Sequence, residues 1–309
     1  MARKLRVEYP GAIYHVMNRG DRREPIFKDD QDRTQFIATL GEACEKTAWE
    51  VHAYCLMSNH FHLVLETPLG NLVGGMKWFL GTYTSRFNRR HRLSGHLFSG
   101  RYKAPLVQGS DGYLRTVCDY VHLNPVRAKL LRPEEPLKAY AWSSYRQYLR
   151  GRKARVSWLR VDRLFGELGI PKDSVAGRRE FEKIMEARRR LDDPEDWKTL
   201  RRGWCIGSEE FRRELLEQME GKMGRHHGGA ERQESAEQRA RRVLAEELKR
   251  RGWDTAELKR RKKSDQAKAE IARRLRQETT ATWEWIARGL LMGASGYAAN
   301  CVRSIVSGA

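Results

Sequence analysis

Two hydrophobic periods alternate along the first part of this chain. Over residues 12–17 β-forming residues alternate, which predicts a strand ending at the turn signal Asn18-Arg19-Gly20-Asp21. Asp29 or Asp30 is placed to cap a helix running to about Thr47, with Phe36, Ile37, Leu40 and Cys44 at helical spacing. Residues 49–55 and 60–66 read as two further strands, joined by the tight link Met57-Ser58-Asn59 into an antiparallel hairpin. From residue 72 to about 90 the period is helical again, with Met76, Phe79, Leu80, Tyr83 and Phe87 on one face. Residues 95–103 form a turn or short hairpin leading into 104–107. Asp111 is then placed to cap a helix through Tyr113, Leu114, Val117, Tyr120 and Val121. The order β-α-β-β-α-β-α predicts an α+β fold, a ferredoxin-like antiparallel sheet with helices on one face. An extension to about Arg150 carries Trp142, Tyr145 and Tyr148, which can pack back on that core.

Beyond residue 150 the pattern changes. Residues 151–156 read as a basic linker, 157–220 as short helices, and 221–229 as a Gly/His-rich break in which His226-His227 is an exposed loop. Residues 232–263 are highly charged, as expected of exposed helix or partial disorder. Helical spacing then returns three times. Residues 266–276 place Ala269, Ile271, Ala272 and Leu275 on one side, and residues 282–290 place Trp283, Ile286, Ala287 and Leu290 inward. Residues 295–305 do the same with Ala298, Ala299, Val302 and Ile305, after the turn Met292-Gly293-Ala294. Helix, Gly turn, helix is the helix-turn-helix pattern, and it leaves Ser295, Tyr297, Asn300 and Arg303 facing outward, toward a major groove. An ordinary three-helix packing unit is the alternative. The chain thus divides into an α+β domain at 1–150, a charged and mainly helical linker region at 151–263, and an all-α helix-turn-helix-like domain at 264–309.

Charge supplies the partner class. The 309 residues suit two domains of ordinary size and carry 60 Lys and Arg against 40 Asp and Glu, a formal net charge of +20. Both halves are basic, so both can meet a phosphate backbone, and nucleic acid is the leading partner. The five cysteines are widely spaced with no Cys-x-x-Cys, so neither a disulfide framework nor a zinc knuckle is expected, which fits a reducing compartment. The basic start Met1-Ala2-Arg3-Lys4-Leu5-Arg6 is followed by no apolar stretch of the signal-peptide kind. No apolar run approaches the roughly 20 residues that cross a bilayer. A soluble, cytoplasmic protein with no membrane partner is expected.

The candidate chemistry begins at His60-Phe61-His62. Side chains on a strand alternate, so His60 and His62 share one face and Phe61 points into the opposite layer. Two imidazoles on one face can share a divalent metal if a third ligand arrives from elsewhere. A structural pair with other partners is the bland alternative. Asn124 is the candidate third ligand, in the run Asp119-Tyr120-Val121-His122-Leu123-Asn124-Pro125-Val126-Arg127. Residues four apart share a helix face, so Tyr120 and Asn124 can point at one place. Pro125 disfavours α geometry at Asn124 and predicts a kink or an end there. A tyrosine beside a divalent metal in a basic protein suggests phosphoryl transfer. The phenolate of Tyr120 would attack a DNA phosphodiester and leave a 5′-phosphotyrosine and a free 3′-OH. Tyr113, two turns earlier on the same face, is the runner-up.

These residues reach a family. His60-Phe61-His62, preceded by Leu56-Met57-Ser58-Asn59, resembles the metal motif of the HUH single-tyrosine transposases. Tyr120-Val121-His122-Leu123-Asn124-Pro125-Val126 looks like the nucleophile helix of the REP-associated tyrosine transposases, relatives of the insertion-sequence-200 type. Tyr14-His15-Val16-Met17-Asn18-Arg19-Gly20 is similar to that group's opening strand and turn. The resemblance covers about the first 130 residues. It implies Mg²⁺ or Mn²⁺ held by His60, His62 and Asn124, with Tyr120 as nucleophile. It also implies single-stranded DNA with small hairpins as substrate. Relatives include dimers in which the nucleophile helix serves the partner's metal site, so monomer and homodimer both stand.

Other positions carry less. Arg19, Arg22 and Arg23 follow the first strand and can grip phosphates or simply be a solvated turn. Arg86, Arg89 and Arg90 with Phe87, and Arg101 with Tyr102 and Lys103, interleave cations and aromatics as single-strand grooves do. Glu66 is expected to cap the sheet edge, and His122 to be structural. The leading expectation is a metal-dependent transposase that cuts and rejoins single-stranded DNA. The alternatives are a non-catalytic DNA-binding regulator derived from one, and a replication or conjugation nickase.

Overall fold

The computed structural model describes residues 7–191, 204–220 and 230–307. Its first part runs β1 (Ala12–Arg19), α1 (Asp30–Thr47), β2 (Glu50–Leu56), β3 (His60–Thr67), α2 (Leu72–His91), β4 (Leu106–Val107) and α3 (Tyr113–His122). This is the order the periodicity predicts. The sheet order is β2-β3-β1-β4, the ferredoxin-like arrangement, with one added edge strand beside β4. β3 pairs antiparallel with β1 and β2, and β1 pairs antiparallel with β4. The added strand, β5 (Cys205–Ile206), runs parallel to β4 and comes from a region expected to hold only short helices.

The two faces of the sheet are set by alternation. Phe61 packs under α1 and α2, with ring centroids 5.0 Å from Phe36 and 6.4 Å from Phe79. Asp29 caps α1 by accepting from the Asp32 amide at 3.0 Å. Gly75 in α2 has no side chain because Trp49 fills that space; a Cβ there would lie 2.1 Å from the indole. α1 and α2 thus occupy one face, as expected. α3 lies across the other, where Tyr120 meets His15 and His62. Asp111 does not cap α3. It and Gly112 adopt left-handed geometry, φ 56° and 76°, and the Asp111 carboxylate is taken by Gln108 and Ser110 instead.

Past α3 come α4 (Asn124–Arg127), α5 (Tyr145–Tyr148), α6 (Asp162–Glu167) and α7 (Val175–Leu191). The extension packs back as expected: Tyr140 and Tyr148 hydroxyls donate to the carbonyls of Leu56 and His52 on β2, at 2.7 and 2.6 Å. The buried cluster that begins at Ala12 does not stop at residue 150. It takes in Phe165, Phe181 and Met185, then Ile206 and Leu215. α7 is longer than the short helices expected here.

The remaining helices are α8 (Glu209–Glu220), α9 (Ala230–Arg251), α10 (Thr255–Arg260), α11 (Gln266–Glu278), α12 (Trp283–Gly289) and α13 (Ser295–Ser307). The expected Gly/His break with His226-His227 lies outside the described residues, as does the side chain of Ile305. A second buried cluster joins Ala240, Val243 and Leu258 to Ile271, Leu275, Ile286, Leu290 and Val302. The charged stretch before residue 264 therefore contributes to this core. The two clusters meet at the end of α1, where the Lys46 ammonium donates to the Arg276 carbonyl at 2.7 Å and to that of Gln277. Arg239 returns a bond to the Lys46 carbonyl at 2.8 Å. Among the described residues no helix is long and apolar enough to cross a membrane.

Phe181 is fully buried among Tyr145, Tyr148, Phe165 and His122. Phe181→Ala is expected to destabilise the first core by about 3–5 kcal/mol, measured by urea unfolding. An unchanged midpoint would show that α7 is not part of that core.

Candidate active site

Three histidines converge beneath α3. β3 presents His60 and His62 on one face with ring centroids 5.2 Å apart. Strand pairing places Arg19 opposite His60 and Met17 opposite His62. Directly paired residues point to the same face, so the odd-numbered residues of β1 line this side, His15 among them. His15 is fully buried, and its Nε2 lies 3.0 Å from His62 Nδ1, the two rings stacking at 5.2 Å. Tyr120 closes the group from above. Its ring meets His15 and His62 edge-on, at 5.5 and 5.6 Å.

The link before β3 sets one of these rings. Asn59 Nδ2 donates to the Arg23 carbonyl at 2.9 Å, which leaves Oδ1 toward His60 Nδ1 at 2.7 Å. That oxygen can only accept, so His60 carries its proton on Nδ1 and keeps the Nε2 lone pair. Arg22 and Arg23, in the same turn, both adopt left-handed geometry at φ 51° and 65°. Residues held there are strained and persist only where their surroundings over-determine them.

All three imidazoles are neutral at neutral pH. Burial, then the Arg127 charge, brings His15 down to about 3. Burial, then Arg19, brings His60 to about 4. Burial, then the neighbouring His15 and His60, holds His62 well below its ordinary value. A neutral imidazole is the form that ligates a metal.

α3 is anchored from behind. His122 is buried, bonded through Nε2 to Ser144 Oγ at 2.9 Å and packed on Tyr148 and Phe181, so its role is structural as expected. Asp119 pairs with Arg188 of α7; burial nevertheless pushes its carboxyl up to about 7 against that charge. At the front, α3 stops at His122, Leu123 makes the join, and α4 begins at Asn124 with Pro125 in its first turn. Proline is tolerated there because its missing N–H has no partner to lose. The interruption falls at Leu123, one residue before the Asn124 where Pro125 predicts it, and Asn124 itself is helical. Arg127 lies back over Tyr120. The guanidinium stands 4.2 Å from the ring centroid and donates to the Tyr120 carbonyl.

Asn124 is buried, and its Nδ2 has no hydrogen-bond partner among the described residues. Turning the amide over would present Oδ1 in that place, an oxygen suited to a divalent cation. Among the described residues no three His, Cys, Asp or Glu side chains group as a metal site, so a metal here would rest on two imidazoles plus this amide oxygen. That donor set is chemically compatible with a divalent ion that keeps open positions for substrate.

The remaining sequence candidates separate by face. Arg19 is exposed beside the histidines, and exposed Lys103 pairs with Met17 across the sheet, which puts it on the same side as His62. Arg101 is exposed nearby in the chain. Arg86 and Arg90 belong to the α1–α2 layer, on the opposite face. Arg86 is held by Glu42 at 2.6 and 3.0 Å, and Arg90 by Asp29 and Asp32. Arg89 is exposed on that same helix. Glu66, near the end of the histidine strand, forms an ion pair with Arg163 at 2.6 Å and a hydrogen bond with His52 at 3.3 Å. Tyr113 opens α3 at its far end; the ring contacts of the histidines go to Tyr120. Ser295, Tyr297, Asn300 and Arg303 are all exposed on α13, while Ala298, Ala299 and Val302 face inward.

Two neighbours of the site escaped the sequence reading. His15 is legible from strand parity once β1 is paired with β3. Arg127 follows Tyr120 by seven residues, two helical turns, and its side chain reaches back to the Tyr120 carbonyl.

No curated protein matches the chain. A solved structure of a REP-associated tyrosine transposase bound to a REP hairpin is similar at 13% identity and a TM-score of 0.41, covering 51% of this chain and 91% of that one. The family model described as "Transposase IS200 like" matches residues 8–124. His15, His60, His62, Tyr120 and Asn124 all lie within the residues that are similar to this family.

Proposed function

We propose that this protein is a metal-dependent transposase that cleaves and rejoins single-stranded DNA through Tyr120. The observation that carries the reading is the seating of the Tyr120 ring against His62 and His15 of its own chain, at 5.6 and 5.5 Å. In this reading the Tyr120 oxygen bonds to a phosphodiester phosphorus and the bond to the 3′-oxygen breaks. A 5′-phosphotyrosine and a free 3′-OH result, and attack by a 3′-OH reverses the step. His60, His62 and Asn124 would hold Mg²⁺ or Mn²⁺, which supplies Lewis-acid polarisation of the scissile phosphate. Arg19 and Lys103 offer phosphate contacts on the same face. Arg127 holds the Tyr120 ring from its other side. In this reading the tyrosine serves the histidines of its own chain, so the nucleophile acts in cis and a monomer suffices. Hairpin DNA as substrate follows from the resemblance of the motifs, and α13 adds a second DNA contact through Ser295, Tyr297, Asn300 and Arg303.

Tyr120→Phe is expected to abolish the covalent protein–DNA adduct, read by denaturing electrophoresis with hairpin oligonucleotides and Mg²⁺, while leaving the Kd for DNA unchanged. An undiminished adduct rejects Tyr120. His60→Ala and His62→Ala should each abolish metal-dependent nicking. Mixing Tyr120→Phe with His62→Ala protein should restore no activity; recovery would assign the tyrosine to the partner's site instead. Replacing Arg303 by Ala is expected to weaken DNA binding and reduce its salt slope by about 1. An unchanged slope would remove α13 from the interface.

A further inference from the structure

We infer that His15 and His62 form a coupled tautomer pair, in which His15 switches from donor to acceptor when His62 takes up a metal. The inference rests on the metal reading above and concerns how the protein prepares one of its two imidazoles.

The two metal-side histidines are held differently. His60 faces an amide oxygen whose orientation is set by the Arg23 carbonyl, so its Nδ1 must carry the proton and its Nε2 is already free. His62 faces another imidazole, His15 Nε2 at 3.0 Å, and an imidazole nitrogen either donates or accepts. Two arrangements satisfy this bond. In the first, His15 Nε2–H donates to His62 Nδ1, and His62 carries its own proton on Nε2. In the second, His62 Nδ1–H donates to His15 Nε2, and His15 carries its proton on Nδ1. Only the second leaves His62 Nε2 a lone pair for a metal.

The surroundings favour the first arrangement when no metal is bound. His15 Nδ1 is buried and has no hydrogen-bond partner among the described residues. The second arrangement places a proton there, a buried N–H with no acceptor among the described residues. The first leaves only a lone pair unused, and it puts both rings in the Nε2–H form that neutral histidine ordinarily prefers. Metal binding at His62 therefore requires three linked changes. The shared proton passes from His15 Nε2 to His62 Nδ1, the His62 Nε2 proton leaves to solvent, and His15 takes one from solvent at Nδ1. One proton is released and one gained, so the pair stays neutral throughout. His15 acts as a positioning residue that decides whether His62 is available.

The test uses the full-length protein with ¹⁵N-labelled histidine. Long-range ¹H–¹⁵N spectra distinguish the two neutral tautomers, and His15→Phe and His60→Gln serve to assign the rings. Without metal, His60 is expected as Nδ1–H, and His15 and His62 both as Nε2–H. With saturating Mg²⁺, His15 and His62 should both lose Nε2–H and become Nδ1–H together, while His60 keeps its form. If His60 responds to Mg²⁺ but His62 does not change tautomer, or if His62 is Nδ1–H before metal is added, the inference falls and the metal reading stands. If no histidine responds at any Mg²⁺ concentration, the metal reading itself falls. A purely structural His15 would keep one tautomer in both conditions.

Discussion

Phe61 is wedged between α1 and α2, and its position there decides what the rest of the sheet can do. A strand has only two faces, and a shift of one residue exchanges them. With Phe61 pinned against Phe36 and Phe79, His60 and His62 must emerge on the far side. The same parity, carried across the β1–β3 pairing, brings His15 and Arg19 to that side and sends Tyr14 and Val16 to the other. An aromatic cluster with no chemistry of its own thus sets the address of every imidazole in the site.

The opposite wall is α3, and much of what fixes it lies beyond the family-matched segment. His122 is gripped by Ser144, Tyr148 and Phe181, and Asp119 by Arg188. Tyr120, one residue past Asp119 and two before His122, cannot rotate away from the sheet without breaking one of these holds. The apolar packing of α7 therefore bears on the position of the Tyr120 phenol. The price is an ionisable carboxyl, Asp119, kept in a site where burial opposes its charge.

The elements that could be read in advance were those with a clear period. β1, α1, β2, β3, α2 and α3 each contain enough alternating or helically spaced apolar residues to declare themselves, and so do α11, α12 and α13. β5 could not be read, because a strand of two residues has no period and its partner β4 lies about a hundred positions earlier. The choice of face for α3 was also hidden, since its apolar stripe is compatible with either side of the sheet. Within the site, His60, His62, Tyr120 and the break before Pro125 were visible as motifs. His15 was not singled out, because a single histidine in a strand acquires meaning only from the strand beside it. Arg86 and Arg90 looked like free cations until the carboxylates of α1 were placed opposite them.

The joint between the two cores has an asymmetry of its own. Lys46 reaches across to the main-chain oxygens of Arg276 and Gln277, and Arg239 reaches back to the main-chain oxygen of Lys46. A carbonyl is the same in every residue, so the end of α11 offers these acceptors whatever side chains it carries. The whole demand of the connection falls on the two donors. Divergence can therefore rewrite the side chains at the last turn of α11 without loosening it from the sheet domain, whereas a single change at Lys46 removes both of its anchors at once.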